Sequence, residues 1–399
     1  MPAVGYTFPE TFGWQGYAEW LDHFAGARKV STAHLLDFSG SCRGLPEGIL
    51  PLITHLDRQR AQGHAFQIEI GTPARALFRE NGWEAGLNGD LRPQVGASPS
   101  NSRLRCFTTA EEQNDLVREM LEIALHGAIL ARGVLDALTW GINELMDNVL
   151  VHAQSPIGGL TQCVYSAQRK SVSFTVVDTG RGVLRSIREG YNANSDEAAL
   201  RLAVEEGVTR DREVGAGRGL TGALNITKAS RGRFLLHSGS AYVKLRNNKI
   251  WSEGKQGWRH RGTIVHFELS TQREIDVARA LWGVPLESHL RLTYEDDDLQ
   301  MRFRVALDAQ NFGNRATGRR LRNKLTNMYG EFRGKRLIVD FSGIPLVSSS
   351  FADEFIAKFA VRIGTAAFEE KVGFVGLSDI NRLAIEQSCE RRFRAPGRR

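Results

Sequence analysis

Cysteine is scarce: 399 residues carry four, Cys42, Cys106, Cys163 and Cys389, far apart and never as a C-x-x-C pair. That spacing argues against both a metal cluster and a disulfide framework, and it fits a reducing cytoplasm. No apolar run approaches the roughly 18 residues of a membrane span. The opening M-P-A-V-G-Y-T-F-P-E has no basic region followed by an apolar core, so no secretory signal is expected. A Walker-type phosphate loop is missing. So are helix-turn-helix, zinc-finger and RNA-binding signatures. The net charge of +7 and the basic stretch Arg391 to Arg399 are therefore read as a solvated terminus. Neither nucleic acid nor membrane is expected as a partner.

What is present is ordinary for globular domains: 42% apolar and 24% charged residues. The length predicts two or three domains. The first hundred residues read strand, helix, strand, helix: Leu35 to Phe38, a helix from Pro46 carrying Ile49, Leu50, Ile53 and Leu56, then Ala65 to Ile70 and Pro73 to Asn81. That order favours a parallel or mixed sheet with helices on a face. Arg92 to Arg103, rich in Pro, Gly, Ser and Asn, reads as a linker. The last hundred residues repeat the first. Leu337-Ile-Val-Asp-Phe-Ser-Gly343 matches Leu35-Leu-Asp-Phe-Ser-Gly40, and a helix (Phe351 to Val361), a strand (Val372 to Gly376) and a second helix (Asp379 to Ser388) follow.

Between the copies, Leu135, Leu138, Ile142, Leu145 and Val149 recur at helical spacing. Glu144, Asn148 and His152 stand four apart on a neighbouring stripe, one above another. Thr109-Ala-Glu-Glu112 is a capping-box start for the preceding helix. Downstream, the alternating strand Ser171 to Val177 runs into Asp178-Thr-Gly-Arg-Gly182. Gly215-Ala-Gly-Arg-Gly-Leu220 then opens a helix, and Gly262-Thr-Ile-Val-His-Phe-Glu-Leu269 is a later strand. Residues 183–219, polar and glycine-rich, read as a mobile lid.

In these residues the chain resembles the GHKL ATP-binding family, which includes gyrase, heat-shock chaperone, histidine-kinase and MutL ATPases. E-L-M-D-N-V-L-V-H-A is similar to its N box, D-T-G-R-G to its first glycine box and G-A-G-R-G-L to its second. The resemblance implies ATP and Mg²⁺ as cofactors. Asn148 is the expected metal ligand, an amide oxygen on a rigid helix. Glu144, one turn earlier, is the expected general base. The resemblance makes Asp178 the acceptor of the adenine amino group and Thr263 an adenine-side threonine. Gly180 and Gly182 let the backbone approach a flat base. Gly215, Gly217, Gly219 and Leu220 offer backbone N–H groups at a helix start to phosphate, with Arg218 adding charge.

D-F-S-G-I-P-L-V-S-S-S-F-A-D-E-F in the C-terminal copy resembles a STAS-like domain. That family carries a serine at the start of its first long helix, which GHKL-type kinases phosphorylate. Ser349 and Ser350 are the candidate phosphoacceptors, although Ser350-Phe-Ala-Asp353 also reads as a plain helix cap. The N-terminal copy has Leu45-Pro-Glu47 there, making Glu47 a fixed counterpart. The expected fold is a multidomain α/β chain: a central GHKL (Bergerat) α/β sandwich with a mixed sheet, flanked by two small STAS-like domains. The expected boundaries are 1–95, a linker over 96–106, 107–271, a connector over 272–290, 291–390 and a basic tail over 391–399. The expected function is a cytoplasmic, anti-sigma-factor-kinase-like switch that hydrolyses ATP or moves its γ-phosphate to a serine. Other proteins would bind through the STAS-like domains, and a homodimer stays open. A non-hydrolysing ATP sensor and a MutL-like ATPase acting with nucleic acid are the alternatives.

Overall fold

The computed structural model describes residues 3–40, 43–91, 101–205, 219–281, 300–309, 312–331 and 336–394. They form two compact units, 1–123 with 137–284, and 124–136 with 285–399. Among the described residues no helix is long and apolar enough to cross a membrane.

The first unit opens with β1 (Val4–Thr7), β2 (Thr11–Phe12), α1 (Trp14–Ala27), β3 (Ala33–Phe38), β4 (Arg43–Gly44), α2 (Pro46–Arg60), β5 (Ala65–Ile70), α3 (Thr72–Glu80) and α4 (Trp83–Leu87). β1, β3 and β5 pair in parallel in that order. The helical crossovers between them are the connections that parallel pairing requires. Pro46 at the first turn starts α2, where a missing N–H costs nothing.

Next come β6 (Arg105–Phe107), α5 (Ala110–Gly127), α6 (Val134–Asn148), β7 (Gly159–Ser166), β8 (Ser171–Asp178), α7 (Gly182–Ile187), α8 (Asp196–Ala203), α9 (Gly219–Ala229), β9 (Arg233–Gly239), β10 (Ala241–Arg246), β11 (Lys249–Gly254) and β12 (His260–Ser270). The capping box at α5 forms: Thr109 Oγ1 accepts the Glu112 N–H at 3.2 Å, and Glu112 Oε2 accepts the Thr109 N–H at 3.2 Å. The seven strands lie in the order β11-β10-β9-β12-β8-β7-β6. Every pair is antiparallel, which corrects the expected mixed sheet. Short hairpins after β7, β9 and β10 can only return antiparallel.

Strand alternation assigns the two faces of this sheet. On β12, Phe267 meets α6 at Gly141. Ile264, one position out of phase, joins the core of the N-terminal module with Leu160 and Val177. Polar bridges fasten the same face. Trp83 Nε1 donates to Gln162 Oε1 at 2.8 Å, Gln162 Nε2 donates to Asn81 Oδ1 at 2.8 Å, and Tyr17 Oη lies 2.8 Å from His260 Nδ1. Glu47 is part of this packing. It is buried at 9% exposure with a carboxylate oxygen 3.8 Å from His266 Nδ1, so it is no exposed counterpart of a serine.

In the second unit β13 (Met301–Arg304), β14 (Leu337–Asp340) and β15 (Val372–Val375) form a parallel sheet in that order. Helices over Arg315–Glu331 and Asp379–Arg394 accompany it. Between β14 and β15 the chain is helical over Ser349–Ala352, widens to a π turn over Asp353–Ala357, and is α again over Lys358–Ile363. Phe341, Phe351, Phe355 and Phe359 fill its core. The duplicated hexapeptide makes the same turn in both units. Asp37 Oδ1 accepts the Ser39 N–H at 2.7 Å, and Asp340 Oδ1 the Ser342 N–H at 2.8 Å. The terminal helix runs into the expected tail. Arg392 donates to both Asp353 oxygens at 2.7 and 2.8 Å, and residues 395–399 lie outside the described residues.

Candidate functional site

α6 carries Glu144 and Asn148 one turn apart, both half-buried. Burial, and then the neighbouring Asp147, push the Glu144 carboxyl up from its usual range. Asn148 Nδ2 is buried without a hydrogen-bond partner among the described residues. Which amide atom is oxygen depends on the network around it. The stripe ends there. Val149–Ala153 is a π turn, whose extra residue rotates His152 out of line. His152 instead presents its carbonyl to Arg181 Nε at 2.9 Å.

Gly219, the first residue of α9, lies against this pair. A Cβ there would stand 3.0 Å from Asn148 Nδ2 and 3.1 Å from Glu144 Oε2. Leu220 follows it, half-buried. Gly215, Gly217 and Arg218 lie outside the described residues, together with the rest of 206–218 in the expected lid. Its described parts are α7, α8 and the segment between them.

Asp178 ends β8 at 4% exposure. Burial raises its carboxyl to about 6, against donation from Gly180 N–H and from the Thr263 hydroxyl and N–H. The Gly180 N–H reaches Oδ1 at 2.8 Å. A carboxylate has about four acceptor positions, so the Gly180 N–H leaves acceptor capacity on Asp178. The glycines here serve the protein's own packing. A Cβ on Gly180 would lie 2.0 Å from the Ala153 carbonyl, and Gly182 has φ +76°. The Arg181 N–H donates to Ala153 O at 2.9 Å, which docks the loop on the π turn that follows α6. Ser238, which carried no sequence signal, and Gly262 complete the corner. Ser238 Oγ donates to Gly262 O at 2.7 Å and accepts the Val183 N–H at 2.9 Å. Gly262 itself has φ +95°, and a Cβ on it would lie 2.1 Å from Asp178 O.

In the second unit the cap is Ser348, not Ser350. Its Oγ accepts the Phe351 N–H at 3.1 Å and donates to Gly313 O at 2.9 Å. Ser349 is exposed, and Ser350 is half-buried with its Oγ 3.2 Å from Ser348 Oγ.

Residues 317–382 match a family described as a STAS-like domain of unknown function (DUF4325). The C-terminal region is therefore STAS-like, in a multidomain α/β chain. The comparison detects no GHKL ATPase domain. No curated protein matches the chain.

Proposed function

We propose that the chain binds Mg·ATP between α6, the Asp178 loop and the start of α9, as a GHKL-type regulatory ATPase or protein-serine kinase whose STAS-like domain is the regulated module. The observation that carries this reading is the buried Asn148 Nδ2, unpartnered among the described residues, beside Glu144 under a side-chain-free Gly219. A buried amide without a partner is costly, and a group seated there would satisfy it. Asn148 would turn its oxygen to the metal, and Gly219 keeps the space clear. Asp178, with acceptor capacity left beside the Gly180 N–H, would take an amino group, while Thr263 lowers the cost of its charge. Bound ATP would supply the transferable phosphoryl group. Glu144 Oε2 would accept a proton from a water or serine hydroxyl, and its raised pKa brings it towards the range that suits a base near neutrality. Ser349, the exposed hydroxyl of the triplet, is the preferred acceptor, followed by Ser350. The N-terminal module, with the same turn and parallel strand order, is assigned the same STAS-like fold. Its buried Glu47 makes it a structural partner of the sheet.

The test is incubation of the purified chain with γ-labelled ATP and Mg²⁺. Label released as phosphate or fixed on Ser349 or Ser350 is expected. ATP that binds but never loses its γ-phosphate, alone or with proteins of the source cell, means a sensor. No binding at all removes the assignment.

A further inference from the structure

A cavity of about 880 Å³ opens within the first unit, and its walls include none of Glu144, Asn148, Asp178 and Thr263. Its size is that of a small-molecule site. One face each of three helices lines it. α1 contributes Leu21, Phe24 and Arg28, and α2 contributes His55, Arg58 and Gln59. α7 adds Leu184 with Arg181, Arg185 and Arg188, and Arg259 and Arg261 flank it at the start of β12. Seven lining residues are arginine and one, Asp196, is a carboxylate.

That carboxylate is already engaged, accepting from the Ser240 N–H at 2.9 Å and the Ser240 hydroxyl at 2.8 Å. Arg181 pairs with Glu189 at 2.5 Å, and Arg188 Nε donates to Ala193 O at 2.9 Å. Arg28, Arg58, Arg185, Arg259 and Arg261 have no acidic partner among the described residues. Burial, then Arg261 and Arg28, push the Arg58 guanidinium down from its usual range. Because a guanidinium stays charged, these groups repel one another across a shared space.

A second observation is independent of charge. Gln59 Oε1 and His55 Nε2 are buried without hydrogen-bond partners, and Gln59 is 3% exposed. As an acceptor, Gln59 Oε1 calls for an N–H or O–H donor on an occupant, such as a base amino group or a sugar hydroxyl, beside its phosphates. Guanidinium groups bind phosphate through paired N–H donors, and Leu21, Phe24 and Leu184 offer an apolar wall for a ring. We infer that this cavity is a separate binding site for a small phosphorylated molecule carrying two or more negative charges. Gly180, Gly182, Ser238 and Gly262 line it and also form the Asp178 corner, so the two sites share one wall.

The experiment is calorimetric titration of the full chain with inorganic triphosphate and with the linear dinucleotide pApA, at low and at high salt. Wild type should bind at least one of them below about 1 mM, more weakly as salt rises. Arg58→Ala with Arg261→Ala should weaken binding by roughly tenfold or more. Removing the exposed pair Arg273 and Arg279 in the same way should change it little. Tighter binding of pApA assigns the apolar wall to a base, whereas equal binding assigns the site to phosphate groups alone. The cavity variant should melt no lower than wild type, because it relieves repulsion. If it does not fold, the exposed pair Arg28→Ala with Arg185→Ala takes its place, with the same expected loss. Absence of binding by both probes overturns the inference. So does equal loss in the Arg273 and Arg279 control, abolition of binding by Asp178→Asn alone, or displacement of pApA by a short DNA duplex at lower concentration.

Discussion

Replacing Asp178 by Asn should stabilise the first unit at neutral pH while weakening nucleotide binding. The folded carboxyl titrates at about 6 instead of 3.8 because burial penalises its charge. A raised carboxyl pKa makes the folded state bind the proton more tightly than the unfolded state. Stability from this group therefore falls as pH rises from 3.8 to about 6, and is level above that. At about 1.36 kcal/mol per unit, the ionised carboxylate costs about 3 kcal/mol at pH 8 and about 1 kcal/mol at pH 4.5. Asn keeps an acceptor for Gly180 and Thr263 but carries no charge. The variant's advantage over wild type should therefore grow by about 2 kcal/mol between those two pH values. Taking the difference cancels every other titrating group. Tryptophan fluorescence during urea unfolding is a selective readout, because all seven tryptophans lie in residues 1–123 and 137–284. A difference that stays constant across this range would refute Asp178 as a buried titrating carboxylate. Unchanged ATP affinity in the folded variant would remove its assigned role at adenine.

Glu144→Gln should keep ATP binding and lower turnover by about 10²–10⁴, the usual contribution of a positioned base; single-turnover and equilibrium binding measurements separate the two effects, and a wild-type rate would remove Glu144 from the chemistry. Ser348→Ala should destabilise the second unit by about 1 kcal/mol through loss of the cap, whereas Ser349→Ala should leave its denaturation midpoint unchanged. Equal effects would mean that Ser348 is not the cap.

Features of short period were legible in the sequence. Leu135, Leu138, Ile142 and Leu145 form the buried stripe of α6, Thr109 and Glu112 cap α5, and Asp37 and Asp340 close the same turn. Each depends on neighbours within about one helical turn or one strand pleat, where backbone geometry alone sets side-chain direction. The π turn that deflects His152 was not legible, because it arises where Ala153 O receives the Arg181 N–H from a distant loop. Nor was the cap at Ser348, since Ser350 has the same local pattern and Gly313 decides between them. Tertiary structure alone placed Gly219 against Glu144 and Asn148, buried Glu47 beside His266, and gathered arginines from α1, α2, α7 and the start of β12 around one cavity. Those residues are far apart in the chain. Their meeting follows from which face of each element finds apolar area to bury, and a periodic pattern specifies the face but not the partner.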